Sequence, residues 1–202
     1  LSLSYYPEIG GNAMILTKLA QDIAAAGHEV HVVTGFPYHG LSEVLPEYRG
    51  RFFMKEQIEG VHVHRAFNYT SASKSIPAKI LNQFSFVFTS LLAALFAPRA
   101  DVLFVLSPPL MLGTTGFAVS RLKGMPFVYN VQDIHPQCLI DVGFLKNPNA
   151  IRFWEWVERF VYSKASKIMA ICETGRTHLI EEKNVPPEKI AVMENFTDTA
   201  LV

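Results

Sequence analysis

The chain has 202 residues, of which half are hydrophobic and 18% are charged, a composition that argues against intrinsic disorder. Its 18 basic residues balance its 18 acidic residues, so the sequence indicates no electrostatic surface for a nucleic-acid partner. A chain of this length predicts one α/β domain with a sizeable core.

Strand-like and helix-like patterns alternate along the chain. In chain order the pattern predicts a strand end at 1–4, a helix at 12–26 capped by Asn12, a strand at 29–34, a loop at 35–50, strands at 51–58 and 61–67, a helix at 76–97, a strand at 102–106, a helix at 110–123, a strand at 127–131, a helix at 151–164, a strand at 167–171, a helix at 173–183 and a strand at 190–193. The two runs around Glu59-Gly60 predict an inserted β-hairpin. The predicted fold class is therefore α/β, a Rossmann-like parallel sheet with helices on both faces.

The turn before the first helix has the sequence Pro7-Glu8-Ile9-Gly10-Gly11-Asn12. Glycines at such a junction let the backbone approach a ligand, and the free N–H groups of the helix start suit a phosphate or a sugar hydroxyl. The alternative is a tight turn that needs glycine for its backbone dihedrals. The run lacks the G-x-G-x-x-G pattern of dinucleotide-binding folds.

A second candidate site follows the strand at 127–131, where Asp133-Ile134-His135-Pro136 is expected at the carboxyl edge of the sheet. Asp133 and His135 are the predicted catalytic residues, because such a pair can orient a hydroxyl or move its proton. The alternative is that Asp133 caps a turn and His135 packs beside Pro136.

Two other strand ends carry a polar residue, and each of these residues can be interpreted either as structural or as a ligand contact. Ser107-Pro108-Pro109 suits a helix entry with proline near its first position, and the Ser107 hydroxyl is a candidate ligand contact. Glu173 complements the dipole of the following helix, or makes a polar contact across a cleft.

The helix predicted at 76–97 contains an uncharged run from Phe84 to Ala97 that is short for a membrane span. It is either a core helix or an apolar helix that contacts a membrane surface, with Lys74, Lys79 and Arg99 near its ends.

Cys138 and Cys172 lack metal-site spacing, which predicts buried, reduced thiols in a cytosolic protein. The chain opens on Leu1 without methionine or a leader pattern, so it is expected to be trimmed at both ends.

Walker A, H-E-x-x-H, G-x-S-x-G and Asp-x-Asp patterns are absent, which predicts a mechanism without metal or cofactor.

The ordered set of motifs resembles family 4 glycosyltransferases with the GT-B fold, in the bacterial branch that builds O-antigen, capsule or exopolysaccharide units. The resemblance covers nearly the whole chain and is carried by 6–11, 26–30, 33–35, 46–50, 58–61, 107–109, 131–133 and 193–198.

The resemblance implies that 1–202 is the amino-terminal, acceptor-side domain, without the carboxyl-terminal domain that grips the nucleotide sugar. It implies that Gly10 and Gly11 approach the donor, and that Asp133 stands where relatives often carry a histidine, here His135 two residues later. Asn12, Ser107, Glu173 and Asn195 are the other predicted donor or acceptor contacts.

The family further implies a retaining, metal-independent transfer from a nucleotide-sugar donor to a glycan or lipid-linked acceptor, with the departing diphosphate helping to deprotonate the acceptor. The isolated chain is then expected to be inactive. The competing functions are a nucleotide-sugar epimerase or dehydrogenase, disfavoured by the missing glycine fingerprint, and a non-catalytic binding or regulatory domain.

Overall fold

The computed structural model describes residues 1–37, 45–70 and 75–196. Within the chain the contacts define two compact units, the first formed by Leu1–Arg99 with Phe196–Val202, and the second by Ala100–Asn195. Where the sequence predicted a single core, each unit has its own sheet, and each is treated separately below.

The first unit contains a three-stranded mixed sheet and two helices. Its elements are α1 (Gly11–Ala25), β1 (His31–Gly35), β2 (Phe53–Ile58), β3 (Val61–Ala66) and α2 (Ile76–Phe96), with a short 3-10 turn at Pro46–Tyr48. The strand order is β1-β3-β2, with β1 and β3 parallel and β2 antiparallel to β3. This confirms the predicted hairpin around Glu59-Gly60.

The first residues of the chain run beside β1 without forming an assigned strand. The Ser2 amide donates to the Val33 carbonyl at 3.1 Å, and the Gly35 amide donates to the Leu3 carbonyl at 3.1 Å. The predicted strand end at 1–4 is thus an extended segment hydrogen-bonded to β1.

The second unit is a parallel sheet covered by helices. Its elements are β4 (Leu103–Ser107), α3 (Leu112–Lys123), β5 (Phe127–Val131), α4 (Gln137–Asp141), α5 (Pro148–Lys164), β6 (Lys167–Ala170), α6 (Glu173–Glu181) and β7 (Ile190–Val192), with a 3-10 turn at Pro187–Lys189. The order β4-β5-β6-β7 is parallel throughout. The α/β class with parallel strands is therefore confirmed.

Two glycines let α3 pack closely in this unit. A Cβ atom at Gly116 would lie 2.7 Å from Val105 Cγ2, and one at Gly113 would lie 2.4 Å from Val161 Cγ1. Both distances are shorter than real carbon contacts. The packing of α3 on the sheet and on α5 therefore requires that these two positions carry no side chain.

Several predicted helix starts were wrong. Asn12 is not the cap of α1, because the helix begins at Gly11 with Gly10 as N-cap and no capping side chain. The prolines after Ser107 are not the first residues of α3; Leu112 and Gly113 bond to carbonyls three residues back, which makes 108–111 a turn. The Asn147 side chain accepts from the amides of Asn149 and Ala150, so α5 begins at Pro148 rather than Ile151.

Candidate functional site

The carboxyl edge of the second unit's sheet brings most of the predicted site residues together. Strand register pairs Ser107 with Val131, Val131 with Ala170, and Ala170 with Val192, so the four strands end level with one another. Asp133 and His135 follow β5, Glu173 follows β6, and Asn195 follows β7. These side chains therefore belong to one edge, the position at which open α/β sheets bind ligands.

Asp133 is exposed at this edge, and His135 is partly buried beside it. His135 Nδ1 lies 3.1 Å from Cys138 Sγ, on the first turn of α4. Burial lowers the pKa of His135, although the Asp133 carboxylate acts in the opposite direction. Burial raises the pKa of the Cys138 thiol, with a further contribution from Asp133. The site thus presents an exposed carboxylate next to an imidazole and a thiol that are both held neutral.

The alternative that the Asp133 side chain caps a turn gains no support from the hydrogen bonds of the described loop. The short helix α4, which the sequence did not predict, has Pro136 as its N-cap and no capping side chain. The Asp133 backbone carbonyl accepts from the His135 amide at 3.1 Å, so the main chain forms the turn by itself. The carboxylate is left at the surface of the edge.

Gln132 joins this loop to the segment after β7. Gln132 Nε2 donates to Asn195 Oδ1 at 3.1 Å, and Asn195 Nδ2 donates back to Gln132 Oε1 at 2.8 Å. Gln132 Nε2 also lies 2.7 Å from Asn130 Oδ1 in the core. Gln132 was not among the predicted site residues, and only its place beside Asp133 in the motif pointed to it. The amide pair positions Asn195 beside the Asp133 loop.

Ser107, at the end of β4, is enclosed by other side chains. Its side chain is 1% exposed, and its hydroxyl shares a hydrogen bond with the hydroxyl of the buried Tyr129. Burial raises the pKa of Tyr129 above its ordinary value. A hydroxyl enclosed in this way is not presented to a ligand in this structure, so the structural interpretation of Ser107 is favoured.

Glu173 is the first residue of α6 and is exposed. Its carboxylate lies 3.6 Å from Arg176 Nη1, one turn along the helix, while Cys172 Sγ caps the helix by accepting from the Gly175 amide at 3.3 Å. An exposed pair of this kind contributes little stability. The geometry is compatible with both predicted roles of Glu173.

The two glycines at the start of α1, in the first unit, are not required by the backbone or by the described packing. Gly10 has φ −70° and ψ 150°, an ordinary extended conformation, and Gly11 is outside the positive-φ region. A Cβ atom at either position would meet no described atom within 4 Å. The interpretation as a turn that needs glycine dihedrals is therefore wrong. Asn12 follows them inside the helix.

We expect Gly11→Ala to separate stability from activity. The free energy of unfolding should stay unchanged or rise by up to about 1 kcal/mol, because alanine replaces a helical glycine without a clash. On the expectation from the sequence that a donor approaches Gly11, the activity of the full-length gene product should fall by roughly tenfold or more, because the added methyl group would displace that donor. Chemical denaturation and steady-state kinetics measure the two quantities.

Gly116→Ala is the contrasting control, since its methyl group would meet Val105 and should cost about 1–3 kcal/mol of stability. If the Gly11→Ala variant has unchanged kinetics, Gly11 is not part of the candidate site.

An aromatic cleft opens at the carboxyl edge of the first unit's sheet, and the sequence did not predict it. Its volume is about 280 Å³, and it is lined by Phe36, Tyr48, Arg49, Gly50, Arg51, Phe52, Phe67, Asn68 and Thr70. The buried Asn68 holds the wall, with Oδ1 accepting from the Phe36 amide at 2.7 Å and Nδ2 donating to the Phe36 carbonyl at 3.3 Å. The only sequence signal was the aromatic and glycine content of the loop.

Helix α2 packs on β1 and β3, and its polar residues Asn82, Thr89 and Ser90 are buried. Asn82 donates to the Tyr69 carbonyl at 2.7 Å, and the buried Thr89 donates to the Phe67 carbonyl. Its exposed residues include Lys79 and Gln83 and five large apolar side chains, namely Ile80, Leu81, Phe84, Phe88 and Phe96. Pro77–Phe96 has the length and apolar composition of a membrane-crossing helix, with a mean hydropathy of 1.4 and a third of the stretch buried in the protein.

The described residues 1–37, 45–70 and 75–196 contain no group of side chains that could form a metal site, and neither cysteine is buried. No group of three or more His, Cys, Asp or Glu side chains in these ranges is placed to hold a metal ion. Both cysteines are free thiols, as expected, but Cys172 is exposed and Cys138 only half-buried, so the prediction of burial was wrong. Their positions at helix starts α4 and α6 explain this exposure.

Comparison with known proteins gives one family match and several similar proteins. The family model of the glycosyl transferase 4-like domain matches residues 10–195. The putative colanic acid biosynthesis glycosyl transferase WcaI of Escherichia coli K12 is 22% identical over 202 residues, which is 98% of this chain and 49% of that protein.

Similar solved structures are those of HepE from Anabaena. The complex with UDP and glucose has a TM-score of 0.57 and 17% identity, covering 99% of this chain and 45% of HepE. The complex with UDP-glucose has a TM-score of 0.56 and 16% identity, covering 99% and 44%. The chain therefore spans about half the length of the relatives that it matches.

Proposed function

This chain belongs to the glycosyl transferase 4-like domain family, and on that premise we propose that it is the acceptor-side half of a glycosyltransferase. The whole enzyme would move a sugar from a nucleotide-sugar donor to a glycan or lipid-linked acceptor in cell-surface polysaccharide synthesis. The family match over 10–195 is the observation that carries the proposal. It also bears out the resemblance to the amino-terminal half of a GT-B enzyme, and it gives no support to an epimerase or dehydrogenase.

The substrate classes are proposed from the relatives. WcaI is named for colanic acid biosynthesis, which supports a polysaccharide product, and the HepE structures contain UDP or UDP-glucose, which supports a nucleotide-sugar donor. The donor would be held mainly by the half of those relatives that this chain does not cover. The isolated 202 residues are therefore proposed to be inactive.

The proposed chemistry is a retaining, metal-independent transfer. Asp133 and His135 would orient the acceptor hydroxyl at the carboxyl edge of the second unit, with Glu173 and Asn195 as further polar contacts. In the first unit, Gly10, Gly11 and Asn12 are proposed separately as donor contacts, because the amides of the first helical turn suit a diphosphate. Stabilisation of the departing diphosphate, rather than a protein nucleophile, would lower the barrier.

The experiment is a screen of nucleotide-sugar hydrolysis and transfer with the full-length gene product, run in parallel with residues 1–202 alone. We expect transfer by the full-length protein in the presence of a chelator and negligible transfer by residues 1–202. Robust turnover by residues 1–202 would contradict the proposed division of labour between the two halves.

A membrane contact through 76–97 is proposed as part of this function, with the protein cytoplasmic and peripheral at the inner face of the plasma membrane. The outward apolar face of α2 supports it, since Phe88 is 65% exposed while Thr89 and Ser90 are buried. Lys79 is exposed near the helix start and Arg99 lies beyond its end, where cations favour anionic lipid. Lys74 lies outside the described residues.

We expect the full-length protein to cosediment with vesicles of phosphatidylcholine and phosphatidylglycerol, and Phe88→Glu to lower the partition coefficient by about tenfold or more. Burial of a phenylalanine side chain is worth about 1.5–3 kcal/mol, and a carboxylate removes that gain. Leu122→Glu in α3, where the leucine is 69% exposed, is the control. Failure of the vesicles to retain the wild-type protein would end the membrane proposal.

The competing function is a non-catalytic binding or regulatory domain. It would bind a nucleotide sugar or its diphosphate without turnover. Detectable transfer that depends on Asp133 would exclude it.

A further inference from the structure

The aromatic cleft of the first unit has the chemistry of a sugar-binding pocket. Phe52 and Phe67 stack with centroids 5.2 Å apart and planes 7° apart, so Phe67 fixes one face of the Phe52 ring. Phe52 remains 53% exposed. The C–H face of a pyranose is apolar and packs on such a ring, while its hydroxyl edge needs hydrogen-bond partners.

Those partners line the same cleft. Arg51 is exposed, and within the described residues its guanidinium makes one hydrogen bond, from Nε to the Glu47 carbonyl at 3.1 Å. Arg49 and Thr70 supply further polar groups. An aromatic ring suits the apolar face of a sugar, and a nearby fork of N–H donors suits its hydroxyl edge.

Two side chains in the walls of the cleft are held by described contacts. Phe36 is held by Asn68, and Tyr48 packs against the Arg65 guanidinium, 4.8 Å from the ring centroid. A volume of about 280 Å³ lies at the small end of ligand pockets, so it suits one sugar ring rather than an oligosaccharide.

We propose that this cleft binds one pyranose ring of the acceptor, stacked on Phe52, with its hydroxyl groups hydrogen-bonded by Arg51. The assignment of that ring to the acceptor rests on the proposed function, in which this half of the enzyme receives the acceptor. The cleft itself stands on the aromatic and guanidinium geometry.

The test is saturation-transfer NMR on the full-length gene product, with the methyl glycosides of glucose, galactose, mannose and fucose as sugar probes. UDP and GDP are added separately as donor probes. We expect at least one glycoside to bind, with its ring C–H protons receiving most saturation. Phe52→Ala should weaken that binding at least tenfold, Phe52→Trp should retain it, and Arg51→Gln should weaken it severalfold.

Phe153→Ala in α5 is the matched control, because Phe153 is 49% exposed but lies in the other unit. Binding that is unchanged in Phe52→Ala, or absent for every glycoside, overturns the cleft assignment. Glycoside binding without UDP or GDP binding supports the cleft and counts against the proposed donor class, so the two failures are distinguishable.

Discussion

Asp133→Asn is expected to lower kcat/KM for sugar transfer by the full-length enzyme by about 10²–10⁴-fold, the usual contribution of a positioned acid or base. The substitution keeps the size of the side chain and removes its charge, at an exposed position where no helix depends on it. Stability should therefore be unchanged. Steady-state kinetics at saturating donor, together with thermal denaturation, measure both effects.

Asp141→Asn is the matched control, since Asp141 is an exposed carboxylate at the end of α4, the helix that follows the Asp133 loop, and its described hydrogen bond is to Gln137 at 2.7 Å. It should leave kcat/KM unchanged. If Asp133→Asn changes kcat/KM by less than threefold while His135→Gln reduces it strongly, the histidine carries the role, and the prediction for Asp133 is wrong.

Arg65→Met is expected to destabilise the first unit by about 3–5 kcal/mol, the cost of breaking a buried ion pair. The Arg65 side chain is fully buried, forms an ion pair with Glu56, and donates to the Gly35 carbonyl at 3.2 Å and the Tyr6 carbonyl at 2.6 Å. Methionine would remove the guanidinium from the Glu56 carboxylate, which would keep only the long hydrogen bond from the Tyr48 hydroxyl at 3.5 Å among the described residues, and it would remove the Arg65 donors from both carbonyls. Arg65→Lys should not restore stability, because an ammonium group lacks the planar fork.

The measurement must observe the first unit, because both tryptophans, Trp154 and Trp156, lie in the second. Hydrogen exchange of the β1 and β3 amides in a urea series satisfies this requirement. Lys55→Met, at an exposed position on β2, is the control. The double variant with Glu56→Gln should be less destabilised than Arg65→Met alone, since it leaves no unpaired charge. A loss below about 1 kcal/mol would contradict the prediction.

The sequence by itself determined the elements with strong local patterns and the family. The hairpin around Glu59-Gly60 and the strand at 127–131 were predicted correctly, because alternation and turn residues act over a few neighbours. The ordered motifs over nearly the whole chain identified the family that the match over 10–195 confirms. The helix starts at Gly11 and Leu112 were missed because caps and turns depend on individual hydrogen bonds.

Only the tertiary structure decided which groups share an environment. Strand register placed Asp133, Glu173 and Asn195 at one edge, and pairing over long sequence separation joined Gln132 to Asn195. Burial enclosed Ser107 and placed Asn82, Thr89 and Ser90 of α2 inside the first unit, while no described atom lies close enough to Gly11 to require a glycine there. These properties arise from contacts between residues far apart in the chain, which local periodicity does not encode.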